Sequence, residues 1–170
     1  MQAHEIFQKA GPGLAATILV HFRENERNVY KTTLTTLAQM RNLRPVFVQQ
    51  KSVAAQVEWM GKELAQRRGE SMAEQVLQVW LMRAREAMLV KFVEALGIAH
   101  DGKGAVDDLP DTLDAATLQA AVDGLLAEFD PKEVAVYLHV FQMQKRDGWP
   151  ELAAILAEDP RLALGAAEAG

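Results

Sequence analysis

Residues 72–96 read MAEQVLQVWLMRAREAMLVKFVEAL. Their spacing predicts a helix with apolar side chains on nearly every side: Val76, Leu77, Val79, Trp80, Leu81 and Met82, then Met88, Leu89, Val90, Phe92, Val93 and Leu96. A surface helix keeps a polar face, so one that is apolar all round belongs inside. The reading is therefore a buried central helix, roughly 37 Å long if unbroken, around which other helices pack. Its polar middle, Arg83 to Glu86, is where it reaches solvent or bends.

Outward from this segment, helical rather than alternating periodicity predicts further helices near 3–9, 13–25, 29–42, 54–67, 115–129, 131–146 and 150–158. The fold class is all-α: a single-domain bundle of about seven or eight helices over residues 1–162, followed by a flexible alanine- and glycine-rich tail at 163–170. Start signals agree. Pro12 suits a first turn, Ser71 with Glu74 forms a capping box, and Asp130, Pro131 and Glu133 combine cap, N1 proline and capping carboxylate. Gly69, Gly97 and Gly148 each follow a last periodic residue, where a left-handed residue closes the helix. Arg44 to Val48 reads as extended, a short strand or apolar loop, because proline disfavours a helical residue before it.

Pro12, Met72 and Pro131 open helices at intervals of 60 and 59 residues, and apolar positions then coincide: Ala16, Val76 and Ala135, or Leu37, Leu96 and Leu156. This suggests pseudo-repeated helical hairpins, although any two amphipathic helices align apolar to apolar, and an irregular bundle explains the pattern as well.

Composition narrows function. The chain has 170 residues, 49% of them apolar, a net charge of −5 and no cysteine. It can build a core, and it lacks thiolate catalysis, disulfides and Cys-ligated metal. Residues 23–91 carry a net +5 and residues 92–170 a net −10, so a basic surface, an acidic surface or mutual attraction between the halves is implied. Met1 to Glu5 has no signal-peptide character and no 18-residue window is free of polar interruption, so a soluble cytoplasmic chain without a membrane partner is expected. Nothing in the sequence sets the oligomeric state.

No nucleophile elbow, phosphate loop or dinucleotide fingerprint occurs, and His4, His21, His100 and His139 are not in metal-ligand spacing. No metal or cofactor is expected. Residues 100–111 are rich in Gly and Asp, yet from Asp101 the calcium-loop positions would hold Lys103 and Ala105, so a tight turn is the better reading. Arg67-Arg68 end a helix or clamp an anion, Arg83 can pair with Glu86, and Trp149 plugs a helix corner with its N–H on a carbonyl.

Three functional readings follow. The leading one is a non-enzymatic interaction or regulatory protein that holds a protein partner on a helical surface, because no residues assemble a catalytic set. The second is nucleic-acid binding through a helix-turn-helix-like segment, 13–51, with the turn at Asn25–Asn28; Lys31, Thr32, Thr35 and Gln39 would face outward and Arg41, Arg44 and Lys51 lie close by in sequence. The third is a small-ligand binder or enzyme with a pocket near His21 or His139, two imidazoles set among apolar helix residues.

Overall fold

Helical periodicity holds along the chain: the computed structural model describes residues 1–165, and among them there are ten α-helices and no strand. In order these are α1 (Ala3–Ala10), α2 (Pro12–Asn25), α3 (Arg27–Met40), α4 (Pro45–Gln49), α5 (Val53–Leu64), α6 (Glu70–Ala84), α7 (Glu86–Ala95), α8 (Ala115–Glu128), α9 (Pro131–Met143) and α10 (Pro150–Glu158), with 3₁₀ turns at Arg67–Gly69 and Pro160–Leu162. The fold class is all-α as read, with more and shorter helices than the seven or eight expected. Of the tail expected at 163–170, residues 166–170 lie outside the described residues.

Within the stretch 1–162, contacts group into two compact units, Met1–Trp80 and the part from Leu81 onward. In the first unit α2 packs on α1, α3 and α5, and α3 on α4. Its core includes Ile18, Leu19, Phe22, Leu37, Met60 and Leu64, none more than 1% exposed. Burying side chains of this size contributes about 1.5–3 kcal/mol each. α1 is held at its start by a long-range cap. The Glu70 carboxylate accepts from the backbone N–H of Ala3 (2.9 Å) and His4 (2.8 Å), and its Oε2 lies 2.5 Å from His4 Nδ1. Two of the donors that a helix start leaves without intrahelical partners are thereby satisfied.

In the second unit α7 packs on α8, and α10 on α8 and α9. Aromatic rings fill its centre: Phe92 stands edge-on to Tyr137 and Phe141, and Phe141 stacks on Trp149 with centroids 4.9 Å apart. Trp149 is fully buried and its Nε1–H donates to the Pro110 carbonyl at 2.9 Å, the corner plug that its flanking Gly148 and Pro150 suggested. The Gln142 amide grips the same residue from both sides, donating to Trp149 O and accepting from Trp149 N. Asp130 caps α9, as expected, through Lys132 N and Glu133 N.

Four local expectations are corrected. The helix over 72–96 is not continuous: it breaks at Arg85 (φ −132°, ψ 29°), inside the polar middle Arg83 to Glu86 where a bend or exposure was read, and the guanidinium there donates to both Glu133 oxygens (2.6 and 2.7 Å) and to the Ala84 carbonyl. Nor is it buried all round, since Met82 is 51% exposed and Arg83 is exposed. The segment 44–48 is the start of α4 rather than a strand: Arg44 is extended as a residue before proline should be, but Pro45 then opens a helix whose Val48 inserts into the core. Third, α6 begins at Glu70, one residue before the expected Ser71 cap. Finally, Gly69 serves close approach, because a Cβ there would lie 2.4 Å from the Glu63 carbonyl oxygen.

Candidate functional site

An open groove of about 800 Å³ runs along the outer side of α3 in the first unit. α2 supplies Val20, Arg23 and Glu24; α3 supplies Arg27, Tyr30, Lys31, Leu34 and Thr35; Gln49 and then Val53 and Gln56 close the other wall. The sequence places them there by helical spacing. Arg27, Lys31 and Thr35 stand one turn apart on α3, while Tyr30, Leu34 and Leu37 form the adjoining buried stripe. The connection before them is a single residue, Glu26 (φ −135°, ψ 61°), which sets the end of α2 beside the start of α3 and brings Arg23 over the Tyr30 ring at 5.7 Å from its centroid.

The floor is polar but fully satisfied. The Tyr30 hydroxyl donates to Gln56 Oε1 at 2.7 Å, and Gln56 Nε2 donates to the carbonyls of Gln49 (3.1 Å) and Lys51 (3.0 Å). This buried amide fixes the α4–α5 corner, and a satisfied network of this kind rigidifies the wall it supports. Desolvation raises the Tyr30 pKa above its ordinary value, opposed by the nearby Arg23 charge, so its hydroxyl stays protonated and donating at neutral pH. The rim is cationic. Among the described residues no hydrogen bond or ion pair engages the charged ends of Arg27 or Lys31, and Glu24 is the one carboxylate in the lining. Val20 (40% exposed) and Val53 (37%) bring apolar surface into the same groove.

The residues nominated by sequence divide. Lys31 and Thr35 line the groove, Lys31 exposed and Thr35 half-buried, while Thr32 and Gln39 are exposed on α3 outside it. Arg41 at the end of α3 lies 3.7 Å from the buried Glu63 carboxylate, which Arg68 also reaches at 3.3 Å. Arg44 and Lys51 are exposed at the two ends of α4. The four-residue turn expected at Asn25–Asn28 is one residue, so α2 and α3 lack the connection that a helix-turn-helix uses. Spacing alone did not single out Tyr30, Gln49 or Gln56 as a joined set, because their contacts depend on α4, which periodicity missed. Lys31 was visible, whereas Arg27 was read as part of the turn and opens α3 instead.

Neither His21 nor His139 lines this groove or the smaller one of about 370 Å³ between Leu96 and Thr117 in the second unit. His21 is half-buried with Nδ1 3.3 Å from Asn25 Nδ2, and His139 is half-buried on α9. The one buried imidazole that meets a carboxylate is His4 on Glu70, where the pair caps a helix. Arg83 and Glu86 fall on opposite sides of the break at Arg85, and Glu133 is the carboxylate gripped there. In the loop after α7, Asp101 Oδ1 accepts from Lys103 N and Ala105 N, and His100 Nδ1 accepts from Gly102 N and Gly104 N, so the Gly/Asp-rich segment is a self-bonded turn. Among the described residues no group of three or more His, Asp or Glu is placed to hold a metal ion, and no helix is long and apolar enough to cross a membrane.

Comparison of the chain with protein-family models, with characterised proteins and with solved structures finds no match.

Proposed function

We propose that this protein is a non-enzymatic interaction module that holds a protein partner in the α2–α3–α5 groove. One observation carries the reading: Arg23, Arg27 and Lys31 rim a groove that also presents Val20 and Val53, with a single carboxylate in the lining. Exposed cations beside exposed aliphatic side chains, over a rigid hydrogen-bonded floor, suit a macromolecular surface with both charge and apolar bulk. The lining offers no paired nucleophile and base. The reading includes a cytoplasmic location, in keeping with a chain free of cysteine. It also takes the chain as successive helical hairpins, supported in the first unit by α2 and α3, which pack together across the single residue Glu26.

The test is a tagged pull-down from native lysate, with and without nuclease, using the wild-type chain and a Lys31→Glu variant as bait. A stoichiometric protein that survives nuclease and is lost with Lys31→Glu supports the reading. Nucleic acid released by salt with a steep slope would replace it with the nucleic-acid reading of residues 13–51.

A further inference from the structure

The basic character of the first unit is concentrated. Between Glu26 and Glu58 the chain carries five Lys or Arg and no Asp or Glu. The same stretch holds five of the eight large hydrophobic side chains exposed in the described residues: Met40, Leu43, Val46, Phe47 and Val53. Within it, the groove beside α3 is concave along a helix. From Arg27 to Thr35 the rim runs about 12 Å at 1.5 Å per residue, two turns of a facing helix. Arg27 and Lys31 are one turn apart, the spacing at which a helix presents carboxylates at i and i+4.

We propose that the occupant of this groove is an acidic amphipathic helix of the partner, its apolar side on Val20 and Val53 and its carboxylates on Arg23, Arg27 and Lys31. The assignment rests on the binding reading above and adds the partner's chemistry to it. Charge complementarity selects an acidic occupant. The exposed Val20 and Val53 select one with an aliphatic face, which the phosphate backbone of a nucleic acid lacks. A second copy using the same face would set Arg23, Arg27 and Lys31 against themselves, because an isologous contact pairs like with like. The concave wall made by Gln49 and Val53 receives a helix, whereas a helix that reads a duplex groove must itself protrude.

The probe is a phage-displayed library of random peptides about 16 residues long, long enough for a helix-in-groove ligand, panned against the full chain. Enriched peptides are expected to be net acidic, with Leu, Ile, Phe or Met at i, i+3 and i+4. By fluorescence anisotropy their affinity should fall about tenfold or more on the combined Arg23→Glu, Arg27→Glu, Lys31→Glu variant, and should weaken with salt. Val53→Asp should abolish binding from the apolar side. Arg67→Glu, outside the groove, should leave it intact. Circular dichroism verifies each fold, and single Lys31→Glu replaces the triple variant if that one unfolds. Enrichment of neutral or basic peptides, acidic peptides that bind the variants equally, or no enrichment at all each overturn the assignment. A partner retained by the wild-type chain in the pull-down alongside such a result refutes the acidic helix and leaves the binding reading standing; a wild-type pull-down that yields no protein partner refutes both.

Discussion

Replacing Glu70 by Gln tests the cap that fastens α1. The carboxylate receives three donors, Ala3 N, His4 N and the His4 imidazole. A hydrogen bond to a charged group contributes about 1.5–3 kcal/mol and a helix cap about 1 kcal/mol. Because 30% of the Glu70 side chain is open to solvent, we expect Glu70→Gln to cost about 2 kcal/mol at pH 7 rather than the sum of these. The pH dependence has a definite sign. Burial pushes the Glu70 pKa up, but the hydrogen bonds from His4 and Ala3 outweigh it and hold the group below the ordinary value of 4.5. A carboxylate with a depressed folded-state pKa stabilises fully above its unfolded value and loses that contribution as pH falls through the folded one. The Glu70 contribution should therefore be fully present at pH 7 and be lost as pH falls below about 4.5. Urea unfolding followed by circular dichroism measures it, and amide exchange at Phe7 and Gln8 localises it to α1. A deficit under 0.5 kcal/mol at pH 7, a difference the size of ordinary surface substitutions, or a deficit that persists unchanged into acid, would refute the capping argument.

Trp80→Ala should cost about 3–5 kcal/mol in urea unfolding, because the ring is 1% exposed; a loss under 1 kcal/mol would remove Trp80 from the core. Gly104→Ala should cost about 3 kcal/mol, with strain from φ +90° added to a Cβ placed 2.6 Å from Leu89 Cβ, whereas Gly97→Ala, left-handed but in open space, should cost about 1 kcal/mol. Equal losses at the two glycines by thermal unfolding would show that the loop yields. His100→Asn, whose amide oxygen can take the place of Nδ1, should retain more amide-exchange protection at Gly102 and Gly104 than His100→Phe, which leaves both donors without their acceptor; identical protection would place the turn's stability in Asp101 alone.

The class of fold was legible because apolar residues recur at helical spacing, and such a pattern survives whatever the helices pack against. Caps were legible where the chemistry is local, as at Asp130 and Gly97, whereas Gly148, although left-handed, lies five residues past the end of α9 at Met143 and closes no helix. Breaks were less so. The polar stretch Arg83 to Glu86 marked where the 72–96 run would bend or reach solvent, but not that Arg85 would be the breaking residue or that its guanidinium would meet Glu133, 48 residues away. Pro45 was read as a signal for extension before it, correctly for Arg44, but a proline also opens a helix, and the choice was made by Val48 reaching the core. For the groove, the polar outer face of α3 was visible, and with it Lys31 and Thr35. The opposing wall was not, since Tyr30 and Gln56 meet across 26 residues and each looks ordinary by itself. His21 and His139 drew notice as rare residues among apolar ones, and chemical rarity carries no information about concavity.

The three tryptophans are placed so that the molecule carries its own optical labels. Trp59 and Trp80 belong to the unit that ends at Trp80, and Trp149 to the other. Trp149 has a well-defined setting: buried, stacked on Phe141, its N–H bonded to a carbonyl, with the Lys145 ammonium 5.5 Å from the ring centroid. Subtracting the emission of a Trp149→Phe chain from that of the wild type isolates light from the second unit alone. Denaturation recorded in the two channels then reports whether one half of the chain melts before the other, with no dye attached and no residue added.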